Sequence, residues 1–425
     1  MMYYILLFCT TVPRRRNDLD TTHNGLDTTQ NVRKKNFFYL LLVVFGGFFV
    51  FGLSENIRGP ALLPIRTEFG LGESQIGFLL ATNSLGYLLA CSFTAFLARK
   101  IGIRPTVVAA FLSMALSGWL IGLSANFAFL AASFFLLFIG NGMLEVGLGI
   151  VAARIFTKNT GAMMNLSHFF YGFGSMVAPV SAAYAMTLEM GSAGELGWRG
   201  MFPLLLALSL LPIVPALLGR APGDGIDAGN RVSLKAIAAD PAAWLIVAVL
   251  TFGVVSELSV GSWLVYYLEN VYRWDTERAS GMLSLFFLFF MLARLLLGPV
   301  TDRVGYIRSV MLLSAFAGAC GLAAVLLGEP AAILFALAGL GIAPIYPTVM
   351  AILAKRYARG LDTALTFTVT LLGIGNVTGN VIIGSVMERF GLRTGYAVIA
   401  LLAVVCSFFS LWLILRLRKR NEPVP

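Results

Sequence analysis

GPVTDRVGYIR, residues 298–308, separates two apolar runs, and ARKIGIR, residues 98–104, separates two others about half a chain earlier. Laid over each other at an offset of about 202 residues, they put Gly102 on Gly305 and a basic residue on each side of it. The same offset brings Gly172-Phe-Gly174 over Gly373-Ile-Gly375, and Ser54-Glu55 over Ser256-Glu257 in GVVSELSVGSW. Each match falls in an apolar segment or loop of the same rank, so the chain reads as two halves grown from one repeated unit.

Composition sets the environment of that repeat. The 425 residues are 58% hydrophobic and 12% charged, with a mean hydropathy of +0.84. A soluble chain carries roughly twice that share of charge, so these segments are expected in a bilayer. The four cysteines, Cys9, Cys91, Cys320 and Cys406, are far apart and form no CxxC or CxxH spacing, so neither a zinc site nor a disulfide framework is indicated. No P-loop spacing, nucleophile–base pair or metal cluster occurs, which argues against an ATP-driven pump or an enzyme and implies no cofactor.

Spanning-length segments fall near 37–62, 75–98, 106–124, 128–155, 161–187 and 200–219, then near 242–268, 278–300, 308–327, 331–354, 362–387 and 395–416. The expected fold is therefore an all-α integral membrane protein of about 12 transmembrane helices, in two six-helix halves (37–219 and 242–416) around a central cavity. Residues 220–241 read as a cytoplasmic linker, 1–36 as a disordered cytoplasmic tail and 417–425 as a second cytoplasmic tail. The initial MMYYILLFC is too short to span and lacks a cleavage site, so it does not read as a signal peptide.

Charge placement gives the orientation. With both termini cytoplasmic, the outer side keeps only Arg66, Arg199, Arg273, Arg278, Arg389 and Arg393. Most other Lys and Arg residues collect on the inner side, while Arg58 and Arg294 stay within or at the edge of the membrane. The net charge of +10 is thus a topology signal rather than a nucleic-acid footprint. A multi-pass protein of the cell membrane follows, with the lipid bilayer as its surroundings and no nucleic-acid partner; a monomer is expected.

The loop Gly298–Arg308, with Gly298, Asp302, Arg303 and Gly305 in register, resembles the G-x-x-x-D-R-x-G-R/K signature of the major facilitator superfamily. That likeness covers roughly residues 37–416 and implies a gate in which Gly298 lets its helix pack closely and Asp302 and Arg303 relay charge. The first-half copy departs from the signature: Arg99, followed by Lys100, stands where the aspartate should be. Within the superfamily the chain is most similar to the fucose permease-like branch of sugar/proton symporters, through GNGMLEVGLGIVAARIF (140–156), MNLSHFFYGFGSMVAP (164–179) and GLGIAPIYPTVMAIL (339–353). The branch's fourth-helix glutamate maps onto Glu145; its first-helix acid does not carry over, since Pro60 stands there. The fifth segment also holds GSMVAPVSAA, a degraded form of the superfamily's antiporter motif.

The chemistry-bearing residues are polar groups within apolar segments. Glu145 and Asn141 lie one turn apart on one face, and Glu145 has no basic neighbour on its own helix, which suits proton exchange. Glu55 and Arg58 are spaced to pair, either in the cavity or at the outer interface. Asn165, His168 and Tyr171 share one side of the fifth segment. Glu257 is followed by Trp263 and Tyr266; a carboxylate beside aromatic rings suits a sugar or an organic cation. Asn376 and Asn380 make a second amide face, and Tyr346-Pro347 suggests a broken helix beside a cavity. The Phe-rich run 286–291 reads as lipid-facing or packing. The expected function is a secondary transporter moving a small polar solute, a sugar, with a coupling ion, a proton, by alternating access. The alternative is a proton-antiporting drug or metabolite exporter.

Overall fold

The computed structural model describes residues 23–156, 160–189, 194–220, 233–357 and 361–419. Long helices occupy nearly all of it. The first-half helices are α1 (His23–Asn56, continuing after Ile57 as Arg58–Phe69), α2 (Glu73–Ile101), α3 (Ile103–Gly122), α4 (Phe127–Ile155), α5 (Thr160–Met186) and α6 (Gly197–Leu218). The second half holds α7 (Pro241–Val271), α8 (Thr276–Leu296), α9 (Tyr306–Leu327), α10 (Ile333–Arg356), α11 (Leu361–Phe390) and α12 (Leu392–Lys419). Eleven helices of the described residues are long and apolar enough to cross a membrane, and α5, at 27 residues, runs alongside them. The span count and all-α architecture therefore agree with the sequence reading.

Local chemistry sets several boundaries. Asn126 opens α4 by accepting the Phe129 amide at 2.9 Å, Asp240 opens α7 through the Ala242 amide at 2.9 Å, and Asp275 opens α8 through the Arg278 amide at 2.7 Å. Gly102 and Gly305, the two glycines the repeat superimposes, both adopt φ 94° at matching helix junctions. A side chain at either site would be strained, so the repeat survives in backbone conformation as well as in sequence.

Two expectations need correction. The helix of α1 begins at His23, so residues 23–36 are helical rather than a disordered tail; residues 1–22 lie outside the described residues. The first span also continues well past 62, reaching Phe69. Of the linker, 221–232 lie outside the described residues, and a short helix, Leu234–Ala239, precedes α7.

Large apolar side chains such as Phe78, Trp119 and Leu326 cover the outside of the bundle, as hydrocarbon surroundings require. The Phe run resolves toward packing: Phe286, Phe287 and Phe290 are buried.

The halves touch along two seams. On one, α2 runs antiparallel to α11. The backbone amide of Ser74 donates to Glu388 Oε2 at 2.7 Å, Gly77 lies on Gly384, and the Asn376 and Asn380 amides reach Ser84 Oγ at 2.9 and 3.2 Å. On the other, Met176, Val180 and Tyr184 of α5 face Gly281, Ser284 and Leu288 of α8, down to Gly172 beside Met291. Across the top, the Tyr266 hydroxyl donates to Glu73 Oε1 at 2.9 Å, and Glu73 pairs with Arg66 at 2.9 Å. All these contacts occupy the half of the bundle remote from the termini.

Candidate functional site

Glu55 lies deep in the bundle because α1 runs on to Phe69, about 20 Å further at 1.5 Å per residue. Its position against α5 follows from small residues. A methyl group at Gly52 would overlap the Tyr171 carbonyl, and one at Gly174 would overlap the Phe49 carbonyl, so α1 and α5 meet backbone to backbone. That approach puts the Tyr171 hydroxyl 2.6 Å from Glu55 Oε2, to which it donates. Asn56, next along, donates to Ser175 Oγ at 3.1 Å and fixes the rotation of α1 against α5.

The second half brings a cation to the same place. Arg294 of α8 reaches Glu257 of α7, Nη2 to Oε1 at 3.7 Å, with both side chains nearly covered. Its guanidinium lies 4.2 Å from the Phe290 ring centroid and 5.9 Å from that of Tyr171. Arg294 thereby links the two halves through the ring that also holds Glu55. The anchor for this arginine is a break in α10, whose helical segments are Ile333–Ile342 and Ile345–Arg356. The break expected at Tyr346-Pro347 thus falls just before it, at Ala343-Pro344.

Glu145 of α4 is half-buried and interacts electrostatically with Glu55 and Arg294. Tyr346 interacts with Glu145, Arg294 and Glu257, and His168 with Arg294. His168 also packs on Phe48, ring centroids 5.3 Å apart. Asn141, the residue one turn from Glu145, is fully buried and accepts the Ser54 hydroxyl at 2.9 Å. The structure therefore gathers Glu55, Tyr171, Glu145, His168, Glu257 and Tyr346 from both halves around Arg294. Three carboxyl groups, two phenols and a guanidinium can accept and donate several hydrogen bonds to one polar molecule and can hold a proton.

Other expected site residues lie elsewhere. Arg58 is buried over the Phe138 ring at 4.7 Å; it interacts electrostatically with Glu55 but joins none of the described ion pairs, so the two do not meet in direct contact. Trp263 is wholly buried against Tyr266. Asn376 belongs to the α2–α11 seam. The side chain of Asn165 lies outside the described residues.

At the loops on the terminus-bearing face, Asp302 accepts the Tyr306 hydroxyl at 2.9 Å, and Asp302, Arg303, Arg99 and Lys100 are exposed. Gly305 makes its turn as described, but a methyl at Gly298 would meet nothing within 4 Å, so that glycine does not serve close packing in this conformation. On that face a tighter cluster ties α7 to α10: Arg356 Nη2 and the Tyr357 hydroxyl reach Asp240 Oδ2 at 3.0 and 2.6 Å. Burial raises the Asp240 pKa, but the hydrogen bonds from Tyr357, the Ala242 amide and Arg356, with the charge of Arg356, outweigh it and hold the carboxyl below its ordinary range.

Sequence reading had not placed Arg294 in the site. An arginine within FFLFFMLARLLLGP was the available signal, since charge so far inside an apolar run is seldom idle.

Comparison with known proteins agrees with this architecture. An uncharacterized MFS-type transporter of Yersinia pestis is 22% identical over 365 residues, covering 85% of this chain and 92% of its own length. The inward-facing, unoccupied structure of a bacterial homologue of the human lysosomal transporter Spinster superposes with a TM-score of 0.76 at 16% identity, over 92% of this chain and 99% of that one. The fucose:proton symporter of E. coli superposes with a TM-score of 0.63 at 17% identity, over 89% and 99%. At such identities the structural likeness speaks for the fold alone. The sequence model of the Major Facilitator Superfamily matches residues 44–331 and 276–425, nearly the whole spanning region. The chain belongs to the Major Facilitator Superfamily, and it is a membrane transporter rather than an enzyme.

Proposed function

We propose that the chain moves a small polar solute, a sugar, together with a proton by alternating access. The observation that carries this reading is the cluster around Arg294, drawn from α1, α4, α5, α7, α8 and α10 of both halves, with seams between the halves on the face remote from the termini. A site formed by both halves changes shape when they rock, which is what alternating access needs. Glu145 is the proton carrier: its carboxyl is half-buried and lies beside Glu55 and Arg294 without a described hydrogen-bond partner. The carboxyl-rich walls suit hydroxyl groups, and the fucose:proton symporter shares the fold.

The excess of Lys and Arg at the terminus-bearing loops supports a cytoplasmic position for that face. The protein then acts as a monomer in the cell membrane, with both termini inside.

Melting of the detergent-purified chain against monosaccharides and lipophilic cations tests the reading. A ligand at a hundred times its dissociation constant stabilises by about 2.7 kcal/mol. Stabilisation by a monosaccharide, weakened by Glu145→Gln, supports sugar transport. Stabilisation by cations alone assigns the chain to the exporters.

A further inference from the structure

Arg58 and Asn141 hold two donors that nothing in the protein satisfies. Arg58 is 7% exposed, its Nε is covered and without a hydrogen-bond partner, and its guanidinium rests on the face of Phe138. Asn141 is 0% exposed; its Oδ1 is occupied by the Ser54 hydroxyl, and its Nδ2 has no partner. These residues stand on neighbouring rungs of one seam. Ser54 meets Asn141, and one turn further along α1 Arg58 meets Phe138, one turn back along α4.

A buried guanidinium with no carboxylate in direct contact and a buried amide without an acceptor are each costly. The nearby acids do not relieve them. Glu55 acts on Arg58 through space only, since its direct contact is with Tyr171; Glu257 faces Arg294, and Glu145 lies in the fields of Glu55 and Arg294. Arg294 shows the contrast, since it has both a carboxylate and a backbone carbonyl.

What the seam lacks is an acceptor bearing negative charge. We propose that Arg58 and Asn141 form the receptor for the carboxylate end of the transported solute, which is a small hydroxylated acid of the sugar-acid class. The carboxylate takes the guanidinium of Arg58, the planar fork that fits it best, and a neighbouring hydroxyl oxygen accepts from Asn141 Nδ2. Remaining hydroxyls of the solute donate to Glu145, one turn along α4 from Asn141. This inference rests on the reading of the cavity as a solute site and narrows the solute from sugars at large to their acids.

The test is thermal melting of the full purified chain with D-glucuronate, D-galacturonate and D-gluconate, against D-glucose and D-galactose at matched sodium concentration. At least one acid should raise the melting temperature at a concentration where the neutral sugars do not. Arg58→Met should then weaken that acid at least tenfold, with Arg58→Lys between the two. The wild-type comparison stands even if a variant fails to fold. Stabilisation by neutral sugars without the acids overturns this inference and leaves sugar transport intact. Stabilisation only by tetraphenylphosphonium overturns both. No response to any of the acids also overturns the inference.

Discussion

Arg294 Nε donates to the carbonyl oxygen of Ala343 at 3.2 Å, and that carbonyl is free because Pro347, four residues on, has no N–H to offer it. The break in α10 and the charge on α8 are therefore one device. A proline opens the acceptor, the acceptor holds the arginine, and the arginine reaches Glu257 and the ring of Tyr171.

Replacing Arg294 by Met should abolish solute flux and destabilise the protein by about 3 kcal/mol, because Glu257 is left buried without its partner. Pro347→Ala should act more selectively. It returns an N–H to compete for the Ala343 carbonyl, so uptake should fall severalfold while melting changes little. Counterflow in liposomes and a melting curve separate the two effects; normal uptake by both variants would remove Arg294 from the site.

Tyr171→Phe deletes the 2.6 Å hydrogen bond to Glu55 and little else. A hydrogen bond to a carboxylate contributes about 1.5–3 kcal/mol when buried, so a loss of unfolding free energy of that size is expected. The affinity for solute should also fall, because Glu55 is no longer fixed. Calorimetric unfolding with and without solute checks both.

The seam of α2 and α11 sets the conformational balance. A methyl at Gly77 would press on the Asn380 carbonyl and on Gly384, so Gly77→Ala should push the halves apart on the face remote from the termini. Spin labels placed on the outer ends of α2 and α11 should then report a longer distance than in the parent protein. An unchanged distribution would mean that the seam does not hold this state closed.

Asp240 carries a pH dependence whose sign is fixed by its environment. Its carboxyl is held below the ordinary value near 3.9 by Tyr357, the Ala242 amide and Arg356. The stability it adds is complete above about pH 4 and is lost as pH falls through the lower folded value. Asp240→Asn should cost about 1–2 kcal/mol at neutral pH and flatten the acid limb of the melting profile, since the side chain is 21% exposed. An acid limb identical to that of the parent would contradict this.

Much of the architecture could be read from the chain. Apolar length gave the spans, and the offset pairing of Gly102 with Gly305 proved to be a shared backbone conformation. Glu55, Tyr171, Glu145 and Glu257 were visible because carboxyls and phenols stand out in apolar segments. What stayed hidden depended on rotation about helix axes. Asn376 and Trp263 have site-like chemistry, but one faces a seam and the other the packed core. Arg294 needed the break in α10, whose effect on a neighbouring helix no spacing rule conveys. Arg58 and Glu55 have the separation of a helical pair, yet Arg58 turns to α4 while Glu55 turns to α5.

The central claim is that solute and proton move together through the site around Arg294. It is tested most directly with the purified chain in liposomes, recording external pH as the solute that stabilises the protein is added outside. The account predicts that the outer solution turns alkaline as the solute enters, and that Glu145→Gln removes the pH signal even at solute concentrations high enough to fill its weakened site. Solute entry without a pH change, or acidification of the outer solution, would contradict it.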